Sequence, residues 1–185
     1  MTAQKFIRAA KGGVGAAKTA GNYAATLYPM RLATEMGYQQ IMWMSPDFKY
    51  VQECGTMNLF FVIGDTVVTP ANENKTILGG ITKDCFLTIL RDANYKVEER
   101  DLPIDEVVEA YKKGELKDVF GSGTAAVVAP VSEITYRDLD MVLPALETRK
   151  ISQFLKEELT AIRAGEREDK FNWIEKLKLK EHASN

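Results

Sequence analysis

Lys18 is the residue in this 185-residue sequence whose position best suits covalent chemistry. It follows the glycine-rich stretch Gly12-Gly13-Val14-Gly15, and a lysine amine can form a Schiff base with an aldehyde. Tyr23 comes shortly afterwards and could donate a hydrogen bond, while Glu53 could hold a protonated ring nitrogen. An amine, a phenol and a carboxylate are the side chains that an aldehyde cofactor with a basic ring would require.

Two further glycine-containing segments could bind anions. Gly79-Gly80-Ile81-Thr82 leads into a predicted helix, where free backbone amides suit a phosphate. Gly123-Thr124-Ala125 offers other amides, which would suit a substrate carboxylate. Together with Lys18, Tyr23 and Glu53, these segments supply what a pyridoxal 5'-phosphate (PLP) site requires. Residue types alone would make this a weak hypothesis, because most lysines, glutamates and tyrosines lie on the surface or pack in the core.

The lysine loop also has a second interpretation. Lys11–Thr19 reads KGGVGAAKT, which superficially suggests a phosphate-binding P-loop. That motif requires glycine directly before the lysine, and Ala17 stands there. We therefore favour the amine chemistry of Lys18 over nucleotide binding.

The predicted elements indicate an α+β fold that would position these groups. Apolar residues recur at helical spacing over 20–36 and 81–92, and short apolar or alternating runs bounded by turn residues predict strands. Strands outnumber helices and several are linked as hairpins, which favours α+β over a doubly wound sheet. We expect one large domain over 1–165 and a charged, helical tail over 166–185. The predicted strands are 5–9, 40–44, 49–53, 58–63, 66–69, 95–100, 117–120 and 126–131, and the further helices are 104–113 and 146–164.

Composition excludes several functional classes. Twenty-four basic against 26 acidic residues give a net charge of −2, so no general nucleic-acid-binding surface is expected. Two scattered cysteines, Cys54 and Cys85, and one histidine, His182, do not form a disulfide framework, and we expect no metal site. No apolar run is long enough to span a membrane. These features favour a cytoplasmic, reducing compartment.

Four segments, taken in order, resemble one family of PLP enzymes. GGVG…K…GNY, YVQECGTMN, TILGGIT and VFGSGTA together are similar to the branched-chain-amino-acid aminotransferases, which are class IV aminotransferases of PLP fold type IV. The similarity runs from about Lys5 to about Gly165. It implies the large PLP-carrying domain of that fold, with a barrel-like, partly antiparallel sheet and flanking helices. It also implies a homodimer that transfers amino groups between Leu, Ile or Val and 2-oxoglutarate, with branched-chain amino acids and 2-oxo acids as partners.

The resemblance also implies a role for each site residue. Lys18 would be catalytic, holding PLP as a Schiff base and moving a proton between the substrate Cα and the cofactor. Three residues would contact the cofactor ring: Glu53 at the pyridine nitrogen, Tyr23 at the phenolic oxygen and Leu78 on the ring face. The cofactor phosphate would be bound by Ile81, Thr82 and Thr124. The substrate carboxylate would be bound by Thr124 and Ala125, and the substrate side chain would contact Thr56 and Met57.

Two features depart from the family pattern. Gly79 stands where proline is usual, so a more flexible loop is expected there. The family's complete enzymes begin with a small domain, and no stretch before the lysine motif can correspond to it. We therefore expect this chain alone to bind PLP weakly and to be poorly active.

Two alternatives remain open at this point. A D-amino-acid aminotransferase or an aminodeoxychorismate lyase would share the fold, although the segment Glu53–Asn58 favours the branched-chain group. A truncated, non-catalytic domain acting only as a folded scaffold belongs to another class. The retention of Lys18, Tyr23 and Glu53 together argues against long decay.

Overall fold

An eight-stranded sheet with β3 at its centre organises the chain. The computed structural model describes residues 1–177. Its helices are α1 (Ala20–Glu35), α2 (Ile81–Asp92), α3 (Ile104–Lys112) and α4 (Lys150–Ala164), with a 3-10 turn at Leu146–Thr148. Its strands are β1 (Met42–Met44), β2 (Tyr50–Cys54), β3 (Met57–Ile63), β4 (Thr66–Pro70), β5 (Lys96–Arg100), β6 (Leu102–Pro103), β7 (Leu116–Gly123), β8 (Val127–Pro130), β9 (Glu133–Tyr136) and β10 (Leu139–Val142).

The sheet is mixed but mainly antiparallel. β3 pairs with β2, β4 and β7, and β8 extends the sheet beyond β7. β4 and β5 form a parallel pair, with α2 in the connection between them. β9 and β10 form a separate hairpin. The α+β class is therefore confirmed, but the pairings among residues 1–177 do not close the sheet into the barrel that the resemblance implied.

Both faces of β3 are covered, which explains its nearly continuous apolar sequence. On one face Phe60 and Phe120 stack at a centroid distance of 5.3 Å, and Phe86 of α2 meets them edge to face. On the other face Leu59 and Val119 join the core beneath α3. Alternate residues of β3 therefore face α2 and α4 on one side of the sheet and α3 on the other.

Most predicted elements agree with the structure to within a few residues. α2 has the predicted bounds, and α1 continues through Pro29 without the break that a proline favours. The strand predicted at 5–9 is wrong, because residues 5–9 form no strand and the adjacent pairing is an isolated bridge between Thr2 and Met42. β9 and β10 were not predicted.

The tail predicted over 166–185 is described only in part. Residues 166–177 contain neither helix nor strand. The rest of the tail, including His182, lies outside the described residues. No helix in the described range 1–177 has the length and apolar character needed to cross a bilayer.

Candidate functional site

Glu53, Asn58 and Ser122 form a row across three adjacent strands. Asn58 of β3 is paired in register with Glu53 of β2 on one side and with Ser122 of β7 on the other. Directly opposite residues of antiparallel strands project from the same face. Because Asn58 and Ser122 lie two positions from Phe60 and Phe120, that face is the one covered by α2. We call these three residues the polar row; they are 3%, 6% and 2% exposed.

Glu53 is held by one ion pair and two hydrogen bonds. Its Oε2 lies 3.0 Å from Arg8 Nε, and its Oε1 accepts hydrogen bonds from Leu78 N at 2.7 Å and from Asn58 Nδ2 at 3.3 Å. Burial raises the pKa of Glu53 above its ordinary value, while the Arg8 guanidinium and the Leu78 amide oppose that rise. A carboxylate offers about four lone-pair positions, so one acceptor position is still available for a further donor.

Arg8 is a site residue that the sequence analysis missed. Its side chain is 5% exposed, and besides the ion pair it donates to Thr76 O at 2.5 Å and to Gly15 O at 3.3 Å. The only local signal was a single arginine within the short run KFIRA, which was interpreted as a strand. A buried cation needs a buried anion. Its partner, Glu53, lies too far along the chain for local patterning to indicate it.

Asn58 connects the polar row to the start of α2. Its Nδ2 also donates to Leu78 O at 2.8 Å, so one amide group holds both Glu53 and the loop before the helix. A Cβ at Gly80, the N-cap of α2, would lie 2.1 Å from Asn58 Oδ1. Glycine is therefore required at position 80 by close packing against Asn58, and Asn58 is a second positioning residue that the sequence analysis did not single out.

The predicted phosphate segment has the geometry of a free helix N-terminus. The first backbone amides of an α-helix have no acceptor within the helix. In α2 no side chain caps them, so they can donate to a ligand. Ile81 is 81% exposed and Thr82 is half-buried. Lys83, the next residue, does not face this end: its Nζ donates to Pro70 O at 2.8 Å and pairs with Glu99 at 3.2 Å.

The lysine loop is fixed to the same region through its backbone. Asn22 Nδ2, in the first turn of α1, donates to Val14 O and Ala17 O, each at 2.8 Å. A Cβ at Gly15 would lie 2.7 Å from Thr76 O, so the loop packs directly on the segment that precedes Leu78. Lys18 is exposed at the end of this loop.

The tyrosine and the turn residues occupy less constrained positions. Tyr23 is half-buried on α1, and Thr124 and Ala125 are exposed in the turn between β7 and β8. Among the hydrogen bonds of residues 1–177, none involves the Lys18 amine or the Tyr23 hydroxyl. The structure thus brings Glu53 and Leu78 into contact and places the other predicted cofactor ligands on neighbouring segments.

The predicted substrate residues lie where β2 turns into β3: Thr56 is in the turn and Met57 is the first residue of β3. Thr56 is exposed and Met57 is half-buried. The Met57 side chain packs against Gly121: a Cβ added at Gly121 would lie 3.0 Å from Met57 Sδ. Met57 also lines a cavity of about 530 Å³ together with Cys54 and Leu59, on the sheet face opposite the polar row. That cavity is not lined by Lys18 or Glu53.

The residues present fit PLP. A buried carboxylate with one free acceptor position suits a ring nitrogen, and an uncapped helix N-terminus close to it suits a phosphate. Both features lie on one face of the sheet, and the Schiff-base lysine is carried by a loop packed against the same segment.

Comparison with known proteins agrees with this arrangement. The chain is 48% identical over 170 residues to a probable branched-chain-amino-acid aminotransferase of Staphylococcus epidermidis, covering 91% of this chain and 47% of that protein. It is 42% identical over 170 residues to branched-chain-amino-acid aminotransferase 2 of Bacillus subtilis, with the same coverage of 91% and 47%. The chain therefore spans about half the length of these curated relatives.

Solved structures show the same relationship. The Escherichia coli branched-chain amino acid aminotransferase superposes with a TM-score of 0.75 at 27% identity, covering 93% of this chain and 55% of that chain. A T.th. branched-chain amino acid aminotransferase complexed with N-(5'-phosphopyridoxyl)-L-glutamate gives 0.74 at 27% identity, covering 90% and 52%. The family model described as amino-transferase class IV matches residues 2–134. With that match over most of its length, this chain belongs to the class IV aminotransferase family.

Proposed function

We propose that this chain carries the PLP site of a branched-chain aminotransferase, which exchanges amino groups between Leu, Ile or Val and 2-oxoglutarate. The observation that carries the proposal is the buried Glu53 carboxylate, held by Arg8, Asn58 and Leu78 with one acceptor position free. When bound, PLP supplies an aldehyde that captures amines and a ring that takes up the electron pair left when the substrate Cα–H bond breaks.

Glu53 would accept a hydrogen bond from the protonated pyridine nitrogen, and its negative charge would favour that protonated form. Its burial strengthens this contact, because few waters compete for the carboxylate. The Arg8 guanidinium favours the ionised carboxylate that this role requires and opposes the rise in the Glu53 pKa that burial causes. Asn58 fixes the orientation of the carboxylate from the opposite side.

Lys18 would hold the cofactor through its amine, and the same amine would be the group that takes a proton from the substrate Cα and returns it. Its loop is anchored through Asn22 and Gly15, which limits the positions that the amine can reach. Tyr23, one helical turn into α1, would donate a hydrogen bond to the phenolic oxygen of the ring, and Leu78 would pack on the ring face.

The anionic groups are bound at two backbone sites. The amides of Ile81 and Thr82 at the start of α2, with the Thr124 hydroxyl, would bind the phosphate. The amides of Thr124 and Ala125 would bind the substrate carboxylate, and Thr56 and Met57 would line the pocket for its side chain. The Glu-x-Gly-Thr-Met-Asn segment and the names of the relatives favour branched-chain substrates over those of a D-amino-acid aminotransferase or aminodeoxychorismate lyase. A cytoplasmic homodimer is part of the same proposal.

The Schiff base can be tested by trapping it. The chain is incubated with PLP and borohydride, and the reduced phosphopyridoxyl group is located by mass spectrometry of peptides. We expect the adduct on Lys18, and we expect Lys18→Ala to abolish it. Lys11→Ala is the matched control, since Lys11 is an exposed lysine of the same loop. Labelling spread over surface lysines, with Lys18 no more reactive than Lys11, would contradict the proposal.

A further inference from the structure

Ser122 has a buried hydroxyl that the proposed function does not use. It is 2% exposed, and among the described residues its Oγ has no hydrogen-bond partner. An unpaired hydroxyl in a protein interior is unfavourable, because it has lost its hydrogen bonds to water without gaining others. Five buried side-chain polar atoms of the described residues lack a partner within the chain, and Ser122 Oγ is the one hydroxyl among them that lies in the polar row. A buried polar group usually has a hydrogen-bond partner, so a partner for Ser122 is sought outside the chain.

The position of Ser122 shows where that partner would lie. Ser122 is the residue of the polar row on β7, one strand away from Asn58, or about 4.8 Å in the hydrogen-bonding direction. Asn58 Oδ1 in turn abuts Gly80, the N-cap of α2. The Ser122 side chain is therefore on the face that α2 covers and near the end where α2 begins.

The surroundings of Ser122 match a phosphate ester. α2 is 12 residues long and presents uncapped backbone amides at this end. Thr124 follows Ser122 by two residues, in the turn that closes β7 onto β8. A hydroxyl donor beside a free helix N-terminus is a typical arrangement for a phosphate, which takes several hydrogen bonds from neutral donors.

We propose that the Ser122 hydroxyl donates a hydrogen bond to the phosphate of the bound cofactor, from the sheet side of the site. The proposal rests on the proposed PLP function and adds a ligand to it. α2 supplies backbone donors from above the sheet, and Ser122 supplies a side-chain donor from within it. In this arrangement the polar row has a role at each end, since Glu53 holds the ring nitrogen and Ser122 holds the phosphate.

The test compares Ser122→Ala with Ser152→Ala. Ser152 is a suitable control because it is also buried, at 5% exposure, but its Oγ is partnered by Arg149 O at 3.4 Å. For each variant and the native chain, dissociation constants are measured for PLP, for pyridoxal, which lacks the phosphate, and for inorganic phosphate. Urea unfolding without ligand provides a readout that does not depend on activity.

We expect Ser122→Ala to weaken PLP and inorganic phosphate binding by roughly tenfold or more, because a hydrogen bond to a charged group is lost. Pyridoxal binding should not change. The urea midpoint of Ser122→Ala should stay the same or rise, since no existing bond is removed, whereas that of Ser152→Ala should fall. Ser152→Ala should bind all three compounds as the native chain does.

Three results would overturn the inference: unchanged PLP binding in Ser122→Ala, an equal loss for PLP and pyridoxal, or no detectable binding of phosphate or PLP to the native chain. The outcome is separable from that of the Schiff-base test. If Lys18 is labelled and Ser122→Ala has no effect on binding, the proposed function is supported and the role of Ser122 is contradicted. A phosphate-specific loss without labelling of Lys18 would support the phosphate site and contradict the aminotransferase proposal.

Discussion

Removing Arg8 should strongly destabilise the chain, because Arg8 is half of a buried ion pair. The Arg8 and Glu53 side chains are 5% and 4% exposed and lie 3.0 Å apart. Breaking such a pair by removing one partner costs about 3–5 kcal/mol, since the remaining charge is buried without compensation. Arg8→Ala also removes the donor to two buried carbonyl groups, Thr76 O and Gly15 O. We expect a total loss of about 4 kcal/mol, because water entering the vacated space would offset part of the sum.

Urea unfolding followed by circular dichroism measures this loss. A domain with about 5–15 kcal/mol of stability would remain folded enough for the transition to be observed. Arg31→Ala is the matched control: Arg31 pairs with Glu35 at 3.5 Å, but the two side chains are 70% and 61% exposed. That substitution should cost at most about 0.5 kcal/mol.

A double-mutant cycle with Glu53→Gln tests the physical reasoning directly. If the cost of Arg8→Ala comes from an unpaired Glu53 charge, the double variant should be more stable than the sum of the two single losses predicts, by at least about 1 kcal/mol. Equal losses for Arg8→Ala and Arg31→Ala would refute the argument from burial. Strict additivity in the cycle would show that the two side chains do not act as a pair.

Two more predictions concern the same region. Gly80→Ala should lower the free energy of unfolding by about 1–3 kcal/mol, because the new Cβ would lie 2.1 Å from Asn58 Oδ1. Gly79→Ala is the control: nothing lies within 4 Å of its Cβ, so it should be neutral or stabilise the chain by up to about 1 kcal/mol. Similar urea midpoints for the two variants would contradict this prediction. Because burial raises the pKa of Glu53 from its ordinary 4.5, the native chain binds more protons than the unfolded chain just above that pH, and the stability due to this group is lost as pH rises. The measurement is the unfolding free energy of the native chain minus that of Glu53→Gln, followed over pH. This difference should decrease from about pH 4.5 to about pH 7. An increase over the same range would contradict the effect assigned to burial.

Local patterning predicted element bounds better than element orientation. The bounds of α2 were predicted from apolar residues at helical spacing over 81–92, and the helix does span Ile81–Asp92. Ile81, the first of those apolar residues, is 81% exposed, whereas Phe86, Ile89 and Leu90 are buried. Helical spacing indicates that a helix forms, but the sheet and α4 decide which side of it is covered.

The errors arose where distant residues determine the structure. Residues 5–9 do not form a strand because Arg8 turns inward to Glu53, a partner that no local window includes. Gly121-Ser122-Gly123 was interpreted as a loop, although these residues lie in β7. A glycine fits position 121 of that strand because Met57, from another strand, occupies the space of a side chain. Glu53 and Leu78 were predicted from the resemblance, and their direct contact became visible only in three dimensions.

The central position of β3 has a consequence for how the chain folds. The two β3 contacts of the polar row differ greatly in sequence separation: Glu53 is five residues from Asn58, whereas Ser122 is 64 residues away, since 122 − 58 = 64. Closing a loop of that length delays a pairing relative to a local hairpin. The hairpin carrying Glu53 and Asn58 should therefore form early, and the phosphate end of the site should be completed only when β7 docks. A register slip of one residue at that late step would turn Ser122 to the opposite face and leave a folded sheet with half a binding site.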